Sequence, residues 1–497
     1  MMRFSIVSCA TLLIFVAAAI ETDKPDKQNK VVCYFGSWAV YRPSNGKISI
    51  SDLEPNLCTH MIYTFIGITL DGAVRALDPW ADLADDGGMA GYDKFNALRG
   101  QNPNMKTLMA IGGWNEGSTK YSQVVGNSKS RSNLVSNIVA FVKKHNFDGC
   151  DLDWEYPNQR GGSEMDRQNF VLLVKELRKS FDQHGLILSA AVAAGKNSAS
   201  LSYDIPQISK YLDFINLMTY DFHGSWDATT GHNAPLYASA RDISELQKQL
   251  NINAAVRYWL SQGAPAKKLI LGIPLYGRSF TLADKNKNEP GAVAIGAGQA
   301  GSYTRENGML GYNEICELES QGWTSAWDAE QRVPYAYRDN QWVSYDNVKS
   351  VTEKAEFALS MGLGGVMVWS VETDDFRGIC KERFPLLKAL NQVIRNGQFS
   401  STIHPPSQII HSNSSFVLQE SKTPKPQVPS SVQPRTVTEA CQNGFLYVRD
   451  PKDCSKFYIC QKIDAKAFKI SPFSCSAGLY FDTAINVCNY RNLVQCD

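Results

Sequence analysis

Three carboxylates stand at alternate positions in the run from Phe147 to Pro157: Asp151, Asp153 and Glu155, separated by Leu152 and Trp154. In an extended strand alternate side chains share a face, so this spacing stacks all three on one side. Glu155 comes outermost, beside Tyr156 and Pro157, where the strand is expected to end. Carboxylates so close cannot all ionise cheaply, and some must hold their protons above the usual range. A carboxylic acid kept protonated near neutral pH is what glycosidic bond cleavage requires. The competing reading is a solvated acidic face on an edge strand, which sits badly with the apolar flanks Phe147, Leu152 and Trp154.

The elements that must position these groups read as short β-rich runs alternating with longer helical stretches between residues 29 and 396. Eight runs have the character of buried strands: 31–37, 59–68, 106–112, 149–154, 187–193, 214–218, 269–274 and 365–369. Amphipathic stretches at 132–145, 164–184 and 243–262 read as helices between them. This order predicts an α/β fold, a (β/α)8 TIM barrel with right-handed crossovers, whose active site lies at the C-terminal ends of its strands. An open doubly wound sheet is the alternative, but no Gly-rich dinucleotide fingerprint follows the first strand. The interval between the seventh and eighth strands is long, aromatic and β-leaning, so a small α+β domain is expected at about 277–342, walling one side of a cleft.

The 497 residues exceed one ordinary domain. Fifty basic residues nearly balance 49 acidic ones, and no basic block invites nucleic acid. Residues 1–19 have the pattern of a secretory signal, with Arg3 before an apolar run and Ala17, Ala18 and Ala19 at the cleavage site. A membrane anchor is the competing reading, and the run is short for one. No other segment is long and apolar enough to span, so no membrane partner is expected. Residues 397–440 are rich in Ser, Thr, Pro and Gln and read as an extended linker, with a glycosylation sequon at Asn413. Residues 441–497 carry six cysteines, Cys441, Cys454, Cys460, Cys475, Cys488 and Cys496. So dense and even a set reads as the disulfide framework of a small secreted β module. A zinc site is the weaker reading, since no C-x-x-C pair is present, and the histidines show no ligand spacing. Neither a metal nor a cofactor is expected.

With Asp148, the carboxylates form a D-x-x-D-x-D-x-E pattern that resembles the signature of glycoside hydrolase family 18, the chitinases. The likeness continues through Val32–Phe35 with Trp38 and Tyr41–Pro43, Leu108–Trp114, Met218–Gly224, Gly272–Phe280 and Gly364–Ser370, in family order. It implies a retaining, substrate-assisted mechanism, an exception to the two-carboxylate scheme. Glu155 would be acid and then base. Asp153 would hold the substrate's acetamido group as internal nucleophile, Asp151 would share a proton with Asp153, and Tyr220 would bond the acetamido oxygen. Tyr34, Trp38, Trp114, Tyr156, Trp226 and Trp369 would bind the substrate, Met218 would wall its pocket, and Asp221 and Arg278 would bind nearby sugar hydroxyls or orient their neighbours. Large aromatics also fill cores, and for each of these tryptophans that use competes with sugar stacking. Asp148, of opposite parity, reads as structural.

The resemblance also implies disulfides Cys33–Cys58 and Cys316–Cys380, leaving Cys150 as a small buried hydrophobe. The tail gaps C-x12-C-x5-C-x14-C-x12-C-x7-C resemble a peritrophin-A type chitin-binding module, which implies pairing of first with third, second with sixth and fourth with fifth cysteine. A generic cystine-rich binding module is the alternative. Together these imply a secreted, extracellular, monomeric endochitinase whose partners are chitin and chitooligosaccharides. The competitors are a chitinase-like lectin that binds without cutting and an endo-N-acetylglucosaminidase acting on glycoproteins.

Overall fold

The computed structural model describes residues 29–397 and, towards the C-terminus, 437–438, 447–462, 468–475, 479–482, 487–490 and 494. The expected leader, Asn413, nearly all of the linker, Cys441 and Cys496 lie outside the described residues. The chain divides into two compact units.

In the first, fifteen strands follow in chain order: β1 (Lys30–Gly36), β2 (His60–Ile68), β3 (Val74–Ala76), β4 (Lys106–Gly112), β5 (Gly149–Asp153), β6 (Ile187–Ala193), β7 (Phe214–Met218), β8 (Leu269–Pro274), β9 (Tyr276–Leu282), β10 (Ala294–Ala297), β11 (Met309–Gly311), β12 (Thr324–Asp328), β13 (Val333–Arg338), β14 (Gln341–Ser344) and β15 (Gly365–Trp369). One sheet runs β1-β15-β8-β7-β6-β5-β4-β2, all parallel, and β1 also pairs with β2. That second pairing closes the barrel. β3 is an antiparallel hairpin added to β2. Each of the eight expected runs lies within one residue of an observed strand.

The strands read as continuous apolar runs because both of their faces are buried. Alternation still sorts them. Val32, Tyr34, Ile62, Leu108, Ala110, Ala191, Phe214, Ile270 and Met367 form a cluster inside the barrel. Their neighbours Val31, Cys33, Phe35, Met61, Met109, Ile111, Cys150 and Leu152 pack in the outer core with the surrounding helices. Cys33 and Cys58 are joined in that outer layer, with Cα atoms 6.1 Å apart. Cys150 is a buried free thiol, pushed well above its usual range by burial.

Two helices match expectation closely, Ser128–Lys144 and Asp166–Asp182. The first begins earlier than its apolar pattern suggested, because the Asn127 side chain accepts from the backbone N–H groups of Lys129 and Ser130. The third expectation, 243–262, needs correction: the helix is Ile252–Ser261. Asn251 caps it by accepting from Ala254 N–H, so the chain before it takes another path, and Ile243 stands 84% exposed.

The insertion between β8 and β15 is a second sheet in the order β10-β9-β14-β13-β12, with β11 paired to β9 and the helix Tyr312–Ser320. Cys316 on that helix is bonded to Cys380. Among the described residues no helix is long and apolar enough to cross a membrane.

Among its described residues the second unit holds three antiparallel strands, β16 (Tyr447–Arg449), β17 (Lys456–Lys462) and β18 (Phe468–Ser474), and the pair β19 (Leu479–Asp482) and β20 (Val487–Tyr490). Phe457 stacks on Phe481 at 4.2 Å. Cys454 and Cys475 each take part in a disulfide, and Cys460 lies on β17 and Cys488 on β20.

Candidate active site

β5 carries Asp151 and Asp153 inward, at 0% and 4% exposure, while Cys150 and Leu152 face the helices. The register sets Asp151 beside Ala110 of β4 and Ser189 of β6, and Asp153 beside Gly112. Gly112 has a positive φ of 117°, and a Cβ there would meet the Asp153 carbonyl oxygen at 2.2 Å. Only glycine lets the two strand ends lie so close.

Asp151 is the deepest carboxylate. Tyr34 donates its hydroxyl to Oδ2 at 2.6 Å; Ser189 donates to Oδ1 at 2.6 Å and Asn216 Nδ2 at 3.2 Å. Burial raises its carboxyl to about 6, against the pull of these donors. Both oxygens are thus engaged by neutral groups. Asp153 is pushed well above the carboxylate range by burial first, then by the charges of Glu155 and Asp151. Its Oδ1 is buried and has no hydrogen-bond partner among the described residues. Glu155, two positions beyond β5, is raised to about 7 by burial; a hydrogen bond from Tyr156 and the charge of Arg160 pull the other way, and Asp221 adds to the rise. The three carboxylates therefore climb from a saturated base to a proton-bearing mouth.

A cavity of about 230 Å³ opens over this mouth and brings Glu155, Tyr156, Met218, Tyr220 and Asp221 together with Ala193 and Phe222. Tyr220 packs edge-on to Tyr276 at 6.1 Å, and its hydroxyl donates weakly to the Met367 sulfur, 3.9 Å away. Asp221 is held bidentately by Arg278 at 2.7 and 2.8 Å and by the Tyr276 hydroxyl at 2.7 Å. The pair Asp221–Arg278 therefore satisfies itself across the wall, between the loop after β7 and β9.

Four tryptophans stand outside that cavity. Trp38 (40% exposed) stacks on Phe65, and Trp369 lies within about 6 Å of Trp38, Phe65 and Tyr34. Trp114 is 57% exposed with the Arg160 guanidinium 3.5 Å over its ring. Trp226 is 59% exposed, with Arg278 5.3 Å over its ring. One face of each of the last two is thereby covered by a cation.

Tyr34 is 1% exposed on the barrel floor, with its hydroxyl donated to Asp151 Oδ2. Asp148 faces away from the carboxylate stack, bound by Arg99 at 2.9 Å and by the Thr107 N–H at 2.8 Å, where it ties β5 to β4. Sequence reasoning missed Ser189, Asn216, Phe65, Arg160 and Tyr276. The first two had a signal: each is a polar residue at inward parity in an otherwise apolar strand.

Comparison with known proteins adds independent findings. The model for "Glycosyl hydrolases family 18" matches residues 30–374, and that for "Chitin binding Peritrophin-A domain" matches 441–496. Probable chitinase 2 of Drosophila melanogaster is 44% identical over 413 residues, spanning 81% of this chain and 84% of the relative. A crystal structure of Ostrinia furnacalis Group IV chitinase in complex with allosamidin superposes with a TM-score of 0.73 at 47% identity, covering 75% of this chain and all of that one. Human YKL-39, described as a pseudo-chitinase with retained chitooligosaccharide binding, superposes at 0.68 and 38% identity over 74% of this chain and 100% of its own.

Proposed function

We propose that this chain, which belongs to glycosyl hydrolase family 18, is a secreted endochitinase that cleaves β-1,4 linkages of poly-N-acetylglucosamine with retention of configuration. The observation that carries the reading is geometric: three carboxylates climb one face of β5 and the residues after it, with Asp151 and Asp153 buried beneath and Glu155 lining the cavity at the mouth, where burial raises it to about 7.

Glu155 donates its proton to the glycosidic oxygen as the bond breaks. No protein carboxylate is required as nucleophile. The substrate's 2-acetamido oxygen attacks the anomeric carbon, and Asp153, whose Oδ1 lacks a partner, accepts the amide N–H and stabilises the oxazolinium positive charge. The Tyr220 hydroxyl, which donates only weakly to the Met367 sulfur, is available to the acetamido oxygen. Asp151, fixed by Tyr34, Ser189 and Asn216, sits beneath Asp153 and shares a proton with it. Glu155, now ionised, takes a proton from a water whose oxygen attacks the anomeric carbon; the bond from that carbon to the acetamido oxygen breaks, which restores the acetamido group and the protonated acid. Trp38, Trp369, Trp114 and Trp226 offer flat apolar surfaces to sugar rings. Residues 1–19 serve as the leader and 397–440 as the linker. Residues 441–497 hold the enzyme on insoluble polymer, which raises local substrate concentration.

YKL-39 keeps a lectin reading in view. Against it stands Glu155, present here, with its proton affinity raised by burial. Release of reducing ends from colloidal chitin tests the proposal; a wild-type protein that binds chitin and releases none across a broad pH range is a lectin. Cleavage of a high-mannose glycoprotein in place of chitin oligomers would instead mark an endo-N-acetylglucosaminidase.

A further inference from the structure

Glu372 lies in the short turn Val371–Thr373 that follows β15, with none of its surface exposed. A carboxylate this deep is costly unless donors meet it. Its donors come from two segments far apart in sequence. Oε2 accepts from Gly36 N–H at 3.0 Å, at the end of β1, and Oε1 accepts from the Ser370 hydroxyl at 2.5 Å. Arg42 closes the arrangement: Nη1 donates to the Glu372 carbonyl at 3.2 Å, and Nη2 stands 3.9 Å from Oε1.

Each anchor point adjoins an aromatic of the cleft. Gly36 precedes Trp38 by two residues and Ser370 directly follows Trp369. The two indoles lie 6.2 Å apart at 43°, and Phe65 touches both, at 6.0 and 5.8 Å. The space behind them is full. A Cβ at residue 36 would come within 2.5 Å of Glu372 Oε1 and 2.7 Å of the Trp38 ring, so the glycine is what lets carboxylate and indole share one pocket.

We infer that Glu372 is a positioning residue: a buried strut across the β1–β15 seam that fixes Trp38 against Trp369 and so shapes the apolar surface on which N-acetylglucosamine rings rest. The inference builds on the proposed chitin-cleaving function and adds to it the group that sets the aromatic geometry. The chemistry of the strut separates it from mere filling of space. Two donors need two acceptors. Glutamine keeps one oxygen for Gly36, and its amide nitrogen can donate to the Ser370 hydroxyl, which rotates to suit. Alanine leaves the Gly36 N–H, the Ser370 hydroxyl and the facing side of Arg42 without their acceptor.

The test uses the full chain. Chitotetraose is titrated calorimetrically into Glu155→Gln protein, so that binding is read without hydrolysis, and Glu372→Ala, Glu372→Gln and Gly36→Ala are added in turn. The same three changes are made in wild type for kcat and KM. Glu372→Ala is expected to weaken binding and raise KM on the order of tenfold, the size of one lost buried hydrogen-bonding group. In that variant kcat stays within about twofold and the pH limits of activity do not move, because the carboxylate stack is untouched. Glu372→Gln returns most of the loss, and Gly36→Ala, which presses on the same pocket from the other side, weakens binding in the same direction. Should Glu372→Ala fold poorly, Ser370→Ala and Gly36→Ala carry the same reading. Binding within twofold of the parent for Glu372→Ala, a glutamine no better than alanine, or a loss confined to kcat would each overturn the inference. Absence of any oligomer binding by the Glu155→Gln parent, with no hydrolysis by wild type, would instead overturn the functional reading on which it rests.

Discussion

Replacing Glu155 by glutamine keeps the shape of the proposed acid and removes its proton. Burial raises this carboxyl from 4.5 to about 7. At pH 6 an acid titrating near 7 is protonated in about nine molecules of ten, whereas one at 4.5 is protonated in roughly three of a hundred. The site thus enlarges the competent population about thirtyfold before any geometric advantage. A positioned general acid is worth on the order of 10²–10⁴ in rate. Glu155→Gln is therefore expected to lower kcat on chitotetraose by about 10³, with KM within about threefold, since the aromatic surfaces remain. Reducing-end release under saturating substrate is the assay. An aryl chitobioside, whose leaving group needs little protonation, is expected to lose far less in its first step. The sign of the pH dependence follows from the acid role: activity requires the protonated form, so kcat/KM falls on the alkaline side as pH passes about 7. A variant retaining more than about a tenth of wild-type kcat on chitotetraose, or a wild-type alkaline limit near pH 4.5, would refute the assignment.

Other expectations concern the groups around this acid. Tyr34→Phe and Ser189→Ala each delete a 2.6 Å donor to Asp151, so its carboxyl rises further from about 6 and the acidic limb of kcat/KM moves to higher pH. A bond to a charged group is worth about 1.5–3 kcal/mol, which sets a ceiling of roughly one to two pH units on that displacement. Asp374, fully buried, accepts from the N–H groups of Asp375, Leu386 and Leu387, and burial raises it to about 7. Its folded pKa exceeds the ordinary 3.8, so its contribution is fully present below pH 4 and is lost as pH rises through about 7. Asp374→Asn is expected to flatten the fall of Tm over that window, and an unchanged slope would exclude the assignment. Deleting 441–497 is expected to leave turnover of soluble oligomers intact while cutting retention on insoluble chitin at least tenfold in a pull-down, a loss of avidity and not of chemistry.

The barrel was legible because strands buried on both faces announce themselves as apolar runs, and Asp151, Asp153 and Glu155 stood out as charges that such a strand has no other reason to carry. Their surroundings were harder to see. Ser189, Asn216 and Tyr34 meet Asp151 from three other strands, a convergence that only barrel closure creates. Arg160 reaches back over Trp114 from a residue with a positive φ of 50°, and nothing in local spacing forecasts such a fold-back. The stretch before Ile252 misled for a local reason: its apolar residues mimic a helix, while Asn251 delays the start by capping Ala254.

Central to all of this is an internal nucleophile aimed by Asp153 while Glu155 supplies the proton. Proton NMR of the first product released from chitohexaose, recorded before mutarotation, tests it most directly. The expected new reducing end is the β-anomer, with internal cleavage into shorter oligomers. An initial α-anomer would mean direct attack by water on the opposite face and would contradict the acetamido mechanism.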